Sequence, residues 1–235
     1  MNHICYIIAM RAEAQPLINE YELTLQQDFF SPLPCLLYQR KITTDVTLSV
    51  VVNGVQHDRD LIGCEAAAIT TMAAIERLHP DIVISSGTCG GWQRYGMEVG
   101  KVYLGSGVMF HDRRVPGDNA WATQGLGNYP VYDRVEELAA ALNLGLGKVT
   151  TGSSFDMTAE EEEIIDANGG RLKEMEGAAV AFVCQLFSTP ILLVKAVTNL
   201  RGMPEEDMNA FHQNLNAASQ ALLEANKRII PWLCI

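Results

Sequence analysis

The chain has 235 residues, of which 48% are hydrophobic and 19% charged, and its formal net charge is −11. That length suits one large α/β domain. The acidic balance argues against non-specific nucleic-acid binding and against docking on anionic membrane, because no basic field is present to hold phosphates.

Cys5, Cys35, Cys64, Cys89, Cys184 and Cys234 are scattered, with no C-x-x-C pair. This distribution reads as reduced thiols rather than a disulfide framework or a structural zinc site. The opening "MNHICYIIAMRAEA" has an apolar run too short for a secretory signal. No stretch approaches the ~20 apolar residues of a membrane span. The expectation is a soluble, cytoplasmic protein.

Taken in chain order, "ICYIIA" (4–9) predicts a first strand, and "EAQPLINEY" a helix starting near Glu13. "VTLSVVVN" (46–53) predicts the next strand, and the alanine-rich 61–78 a helix with apolar spacing of three and four. Strands follow at 81–87 and 101–110, a helix at 135–144 and a strand at 147–152. Thr158 with Glu161 three positions later is a capping-box pattern that opens a helix over 158–168. A strand over 191–198 and a helix over about 205–227 complete the chain. Several strands are continuously apolar, as strands covered on both faces require. The alternation predicts an α/β three-layer sandwich around a mostly parallel sheet, one domain over 1–235. Ligands in such folds sit at the carboxyl ends of the strands, which selects the loops 9–13, 87–91, 110–116, 152–157 and 198–203.

"SSGTCGGW" (85–92) ends a strand with three glycines, which fits either a sharp turn or close approach of a ligand to backbone N–H groups. It is neither a Walker loop nor a G-x-G-x-x-G loop. Glu13 at a first helical turn is either a favourable helix-terminus charge or a general base at the sheet edge. Glu174 and Glu176 flank Met175 just before Gly177, Ala178 and Ala179. Two acids at a buried helix entry cost desolvation unless something binds them, and a vicinal diol is a natural partner; a solvated helix start is the alternative. His111 and Asp112 are adjacent, with no further ligands at helical spacing, so no metal site is expected, and a structural role for His111 is favoured over a catalytic one.

The segments "AMRAEA", "SSGTCGGW", "FHDRR", "TGSSFDM", "KEMEGAAVAFVC" and "VKAVTN" occur in the order found in 5′-methylthioadenosine/S-adenosylhomocysteine nucleosidases. The chain resembles the plant-type branch of that family, within the purine nucleoside phosphorylase superfamily, over nearly its full length. The resemblance implies a nucleoside phosphorylase-like fold and hydrolysis of an adenine nucleoside through an oxocarbenium-like transition state. It assigns water activation to Glu13, the ribose hydroxyls to Glu176 with Met175 along the sugar, and a place near ribose and water to Thr88. Phe155 takes the purine-stacking position. Met208 and Phe211 become apolar candidates on the 5′ side, with core packing an equal explanation of Phe211; Lys195 is a support for its loop, and no cofactor is implied. Relatives pair as homodimers whose partner loop near 110–120 completes the 5′ pocket, so a homodimer is expected, with the 61–78 helix either in that interface or covering the sheet.

Charge favours a hydrolase over a phosphorylase. Two unit charges ~4 Å apart interact by about 1–4 kcal/mol, so Glu13 would repel phosphate but suits neutral water. Arg11 is the one neighbouring cation that could reverse this, if it faced the pocket.

Two positions depart from the family pattern. Asn199 stands where the resemblance expects an aspartic acid that protonates the purine, and Ser153 stands where relatives carry an acid. An amide can donate to N7 and accept from N6, but it transfers no proton, a loss of about 10²–10⁴-fold in rate. Asn199 therefore reads as a ligand-trapping substitution, as retuned base specificity, or as the mark of a low-activity nucleoside-binding protein. The paired change at Ser153 favours natural divergence. The rivals to the adenine-nucleoside hydrolase are a purine nucleoside phosphorylase, a 6-oxopurine nucleosidase and that weak binding protein.

Overall fold

The structure is a computed structural model that describes residues 1–116, 119–201 and 204–234. The first strand, β1 (His3–Ile8), shows why the chain forms layers. Ile4, Tyr6 and Ile8 enter one hydrophobic core, while Cys5 and Ile7 enter another on the opposite face. A strand with apolar side chains on both faces must be covered twice.

In chain order the elements are α1 (Arg11–Glu20), β2 (Thr24–Gln26), β3 (Leu36–Lys41), β4 (Thr47–Val52), the small hairpin β5 (Val55–Gln56) and β6 (Arg59–Asp60), and α2 (Cys64–Leu78). Then come β7 (Ile82–Gly91), β8 (Val102–Phe110), α3 (Asn119–Leu126), α4 (Val135–Leu142), β9 (Gly145–Thr151) and α5 (Ala159–Ala167). The chain closes with β10 (Gly170–Glu174), α6 (Gly177–Leu186), β11 (Ile191–Leu200) and α7 (Pro204–Leu233). Among the described residues, nine strands form one sheet in the order β10-β9-β8-β11-β7-β1-β4-β3-β2. β11, β7, β1 and β4 run parallel, and β3 and β2 add an antiparallel edge. Helices α1, α4 and α7 supply buried residues to one core, and α2 and α6 to the other. The expected three-layer α/β/α sandwich with a mixed sheet is what forms, with one elaboration. β10 also pairs antiparallel with β7 through Leu172↔Gly91 and Lys173↔Gly90, so β7, β11, β8, β9 and β10 close into a ring.

Several boundaries differ from the sequence reading. The glycine segment 87–91 is strand rather than loop, and β11 runs past 198 to Leu200, so Asn199 lies within the strand at a register shift that follows Val197. Close approach favours glycine there: a Cβ at Gly91 would sit 2.7 Å from Met97 Cβ, and one at Gly90 would displace the Arg201 side chain, whose Cδ is 2.7 Å away. Of the loop assigned to 198–203, positions 202 and 203 lie outside the described residues. β3 was not anticipated although Leu36, Leu37 and Tyr38 are apolar, and β10 had no apolar run to announce it; "GRLKE" forms a strand because Lys173 and Glu174 find buried partners. The capping box holds, with Thr158 Oγ accepting from the Glu161 amide and Glu161 returning to the Thr158 amide. The last helix continues to Leu233 because Leu222, Leu223, Ile229 and Ile230 keep one face in the core.

Candidate active site

The carboxyl ends of β1, β7, β10 and β11 meet around a cavity of about 600 Å³, within the size range of small-molecule sites. Glu13 reaches it from the first turn of α1. Its Oε1 accepts both the Thr88 backbone N–H and the Thr88 hydroxyl, each at 2.7 Å. Gly87 makes the room, since a Cβ there would stand 3.3 Å from Glu13 Oε1. Burial raises the Glu13 pKa above the ordinary carboxylate range, against the two Thr88 hydrogen bonds and the charge of Lys195.

Glu174 and Glu176 have separate environments despite their spacing. Both Glu174 oxygens are engaged: Oε1 by the Thr151 hydroxyl, and Oε2 by Lys195 Nζ at 2.9 Å, the Gly177 amide at 2.7 Å and the Glu176 amide at 3.1 Å. Burial works to raise its pKa, but Lys195, the Thr151 hydroxyl and the Gly177 amide hold it below the usual range. Glu176 accepts the Gly63 amide at 2.7 Å. Burial and the neighbouring Glu174 charge raise its pKa. Glu174 thus organises the entry to α6, and Glu176 is the carboxylate presented to the cavity. Lys195 also reaches Ser85 Oγ at 3.2 Å.

At the β11 end, Asn199 is 2% exposed, and its Oδ1 accepts the Thr198 hydroxyl at 2.9 Å. Phe155 lines the same end, its ring 5.8 Å from that of Phe211 in an edge-on arrangement. The Phe155 loop is pinned from below by Lys173, whose Nζ donates to the carbonyls of Ser154 (2.6 Å) and Phe155 (3.1 Å). Burial and then the charge of Arg201 push the Lys173 ammonium down to about 8. Met175 and Met208 complete the wall, so the cavity brings together Glu13, Thr88, Phe155, Glu174, Met175, Glu176, Asn199 and Met208. Lys173 gave no signal in the sequence, because a lysine in "GRLKE" reads as surface unless β10 is a strand of the ring.

Three other positions resolve. Arg11 Nε pairs with Asp60 Oδ1 at 2.7 Å and is absent from the cavity wall. His111 is buried behind the site with Nδ1 2.9 Å from Thr150 Oγ1, and burial lowers its pKa to about 4. At Ser153 the backbone N–H donates to Asp112 Oδ2 at 2.6 Å, so a carboxylate from β8's end stands beside this residue.

The Phosphorylase superfamily matches residues 3–231. A 5′-methylthioadenosine nucleosidase from Arabidopsis thaliana is 37% identical, over 99% of this chain and 88% of the relative. A 5′-methylthioadenosine/S-adenosylhomocysteine nucleosidase from the same plant is 33% identical, over 98% of this chain and 91% of the relative. The solved apo structure of Arabidopsis thaliana 5′-methylthioadenosine nucleosidase superposes with a TM-score of 0.94 at 37% identity, covering 99% of this chain and 96% of that one. The chain belongs to the Phosphorylase superfamily and, within it, to the 5′-methylthioadenosine/S-adenosylhomocysteine nucleosidase family.

Proposed function

We propose that this protein hydrolyses the N-glycosidic bond of 5′-methylthioadenosine or S-adenosylhomocysteine, releasing adenine, with turnover limited by Asn199. The observation that carries the reading is Glu13 held by Thr88 in one cavity with Glu176. The C1′–N9 bond breaks with its electron pair leaving on the purine, which takes a proton from solvent water, as a water oxygen bonds to C1′. Glu13, a base strengthened by burial, takes the water proton. The carboxylate of Glu176 accepts from the ribose hydroxyls and opposes the cationic sugar, which favours the transition state over the substrate. Phe155 stacks on the base, and Met175 and Met208 enclose the sugar and its 5′ substituent. Glu174 is a positioning residue, since its oxygens are spent on Lys195, Thr151 and the α6 entry.

Water is favoured over phosphate as the nucleophile. Arg11 is turned to Asp60, and Lys195, which pulls electrostatically on Glu13, is paired with Glu174. Asn199 offers the purine a hydrogen bond but no transferable proton. One observation favours a second reading, a 6-oxopurine nucleosidase. Asn199 Oδ1 accepts from the Thr198 hydroxyl, which competes for the acceptor an N6 amine would need, so an O6 purine loses less at this residue. Product analysis of paired adenine and hypoxanthine nucleosides, with and without phosphate, separates these readings. Phosphate-dependent sugar phosphate formation rejects the hydrolase, and preference for hypoxanthine selects the second reading.

A homodimer is part of the proposal. Ile69 and Met72 on α2 are exposed, as are Phe182 and Leu186 on α6, which packs against it. Such an apolar face is characteristic of subunit contacts. Positions 117 and 118 of the expected partner loop lie outside the described residues. Sedimentation at a monomer mass across micromolar concentrations rejects this assignment. Cytoplasmic placement is supported by six unpaired cysteines. No helix among the described residues is long and apolar enough to cross a membrane.

A further inference from the structure

The sheet order places the candidate chemistry along a line. Asn199 is on β11, Thr88 on β7, Glu13 follows β1, and Asn53 follows β4. Adjacent strands are about 4.8 Å apart, so β11 and β4 are separated by about 14 Å. A nucleoside with its base at β11 and its sugar over β7 and β1 directs its 5′ substituent toward β4 and the β5–β6 hairpin.

That end of the cavity is polar. Asn53 is 1% exposed, lines the cavity, and donates Nδ2 to the Leu61 carbonyl at 3.0 Å. Its Oδ1 is buried with no partner among the described residues. The Leu61 bond fixes the amide, so Oδ1 remains an acceptor lacking a donor, and leaving such an atom unmatched costs free energy. Arg59 and Asp60 line the same end, on the strand that pairs Val55 with Asp60 and Gln56 with Arg59. The end of β4 and the hairpin that follows it therefore bring a buried orphan acceptor, a guanidinium and a carboxylate to one end of the cavity. Asp60 Oδ1 already pairs with Arg11 at 2.7 Å, whereas Asn53 Oδ1 lacks a donor; a 5′-methylthio group, with no hydrogen to donate and no charge, leaves that atom unmatched and adds nothing to Arg59 or Asp60.

We infer that Asn53, Arg59 and Asp60 form a subsite for a zwitterionic α-amino-acid tail at the 5′ position, making the homocysteinyl thioether a better ligand than the methylthioether. The α-ammonium carries three N–H donors, which match the Asp60 carboxylate and Asn53 Oδ1. The α-carboxylate matches the Arg59 guanidinium in a charge-assisted contact. The inference rests on the nucleosidase reading above and names which of its two substrates the wall selects.

Calorimetric affinities of the full chain test it, since binding is read whether or not Asn199 slows turnover. The ligands are S-adenosylhomocysteine, 5′-butylthioadenosine (a neutral tail of similar reach), 5′-methylthioadenosine and adenosine. The expected result is that S-adenosylhomocysteine binds at least about tenfold tighter than the butyl thioether, the worth of one charge-assisted hydrogen bond. Arg59→Gln and Asp60→Asn should each reduce that ratio about tenfold. Arg59 is exposed, so its variant is expected to fold even where the Asp60 change disturbs Arg11. A wild-type ratio near one, or a ratio neither substitution moves, overturns the tail subsite alone. Adenosine binding tighter than either thioether also overturns it and assigns Asn53 to a 5′-hydroxyl. Failure of all four ligands to bind overturns the nucleosidase reading, and the subsite with it.

Discussion

Glu13 Oε1 receives two hydrogen bonds from one residue, the backbone N–H and the side-chain hydroxyl of Thr88, both at 2.7 Å. The pair joins the first turn of α1 to β7 and fixes a carboxylate at the carboxyl edge of the sheet. Burial raises the Glu13 pKa, so it binds protons more strongly than an ordinary carboxylate, as a base working near neutral pH requires.

Glu13→Gln should lower hydrolysis at least about 100-fold while keeping nucleoside affinity within about threefold. The base acts deprotonated and its pKa is raised, so kcat/KM should fall on acidification at a pH above the usual carboxylate range. The substitution should remove that limb. A pH–rate profile measures it, and unchanged turnover would take Glu13 out of the base role.

Asn199→Asp should raise adenine release at least about tenfold, because a carboxylic acid supplies the proton an amide cannot. Asn199 is 2% exposed and already accepts from Thr198, so the aspartate has a hydrogen-bond donor in place. A direct adenine-release assay decides this. No gain would mean that leaving-group protonation is not what limits the parent chain.

Lys195 and Glu174 form an ion pair at 2.9 Å, with side chains 3% and 2% exposed. Lys195→Met should destabilise the fold by about 3–5 kcal/mol, since it leaves the Glu174 carboxylate buried without its counter-ion. Adding Glu174→Gln should recover part of the loss. Urea denaturation reads both, and additive losses in the double variant would refute coupling between the two residues.

His111 sets a pH dependence of stability. Its folded pKa is lowered from 6.5 to about 4, by burial first and then by Lys173. A depressed histidine contributes stability above its unfolded value of 6.5, and that stability is lost as pH falls toward about 4. The contribution is about 3 kcal/mol for a side chain 2% exposed. His111→Asn should flatten the stability-against-pH curve over this window relative to the parent. Parallel curves would show that His111 does not titrate with unfolding.

The layered fold was legible because β1, β7 and β11 are continuous apolar runs, and because Thr158 and Glu161 announce α5 in four residues. β10 was not legible, since its apolar content is one leucine and its polar residues are satisfied only by partners distant in sequence. The same holds for Lys173, which takes its meaning from the Ser154 and Phe155 carbonyls. Glu13, Glu176 and Phe155 were singled out because each sits in a motif of the family, and all three line the cavity. Asn53, Arg59 and Asp60 belong to no such motif, and the hairpin that brings Arg59 and Asp60 back beside Asn53 is four paired residues. The Glu174–Glu176 spacing suggested two equivalent carboxylates, and only the packing separates the one that supports from the one presented to the cavity.

The central claim is that water, activated by Glu13, cleaves the glycosidic bond. The most direct test incubates the purified chain with 5′-methylthioadenosine and S-adenosylhomocysteine in the presence and absence of inorganic phosphate, with products identified by mass. The account predicts equal amounts of free adenine and the free 5′-substituted ribose at the same rate in both conditions, slowly in the parent chain and faster in Asn199→Asp. Adenine release that requires phosphate and yields a sugar 1-phosphate would contradict it.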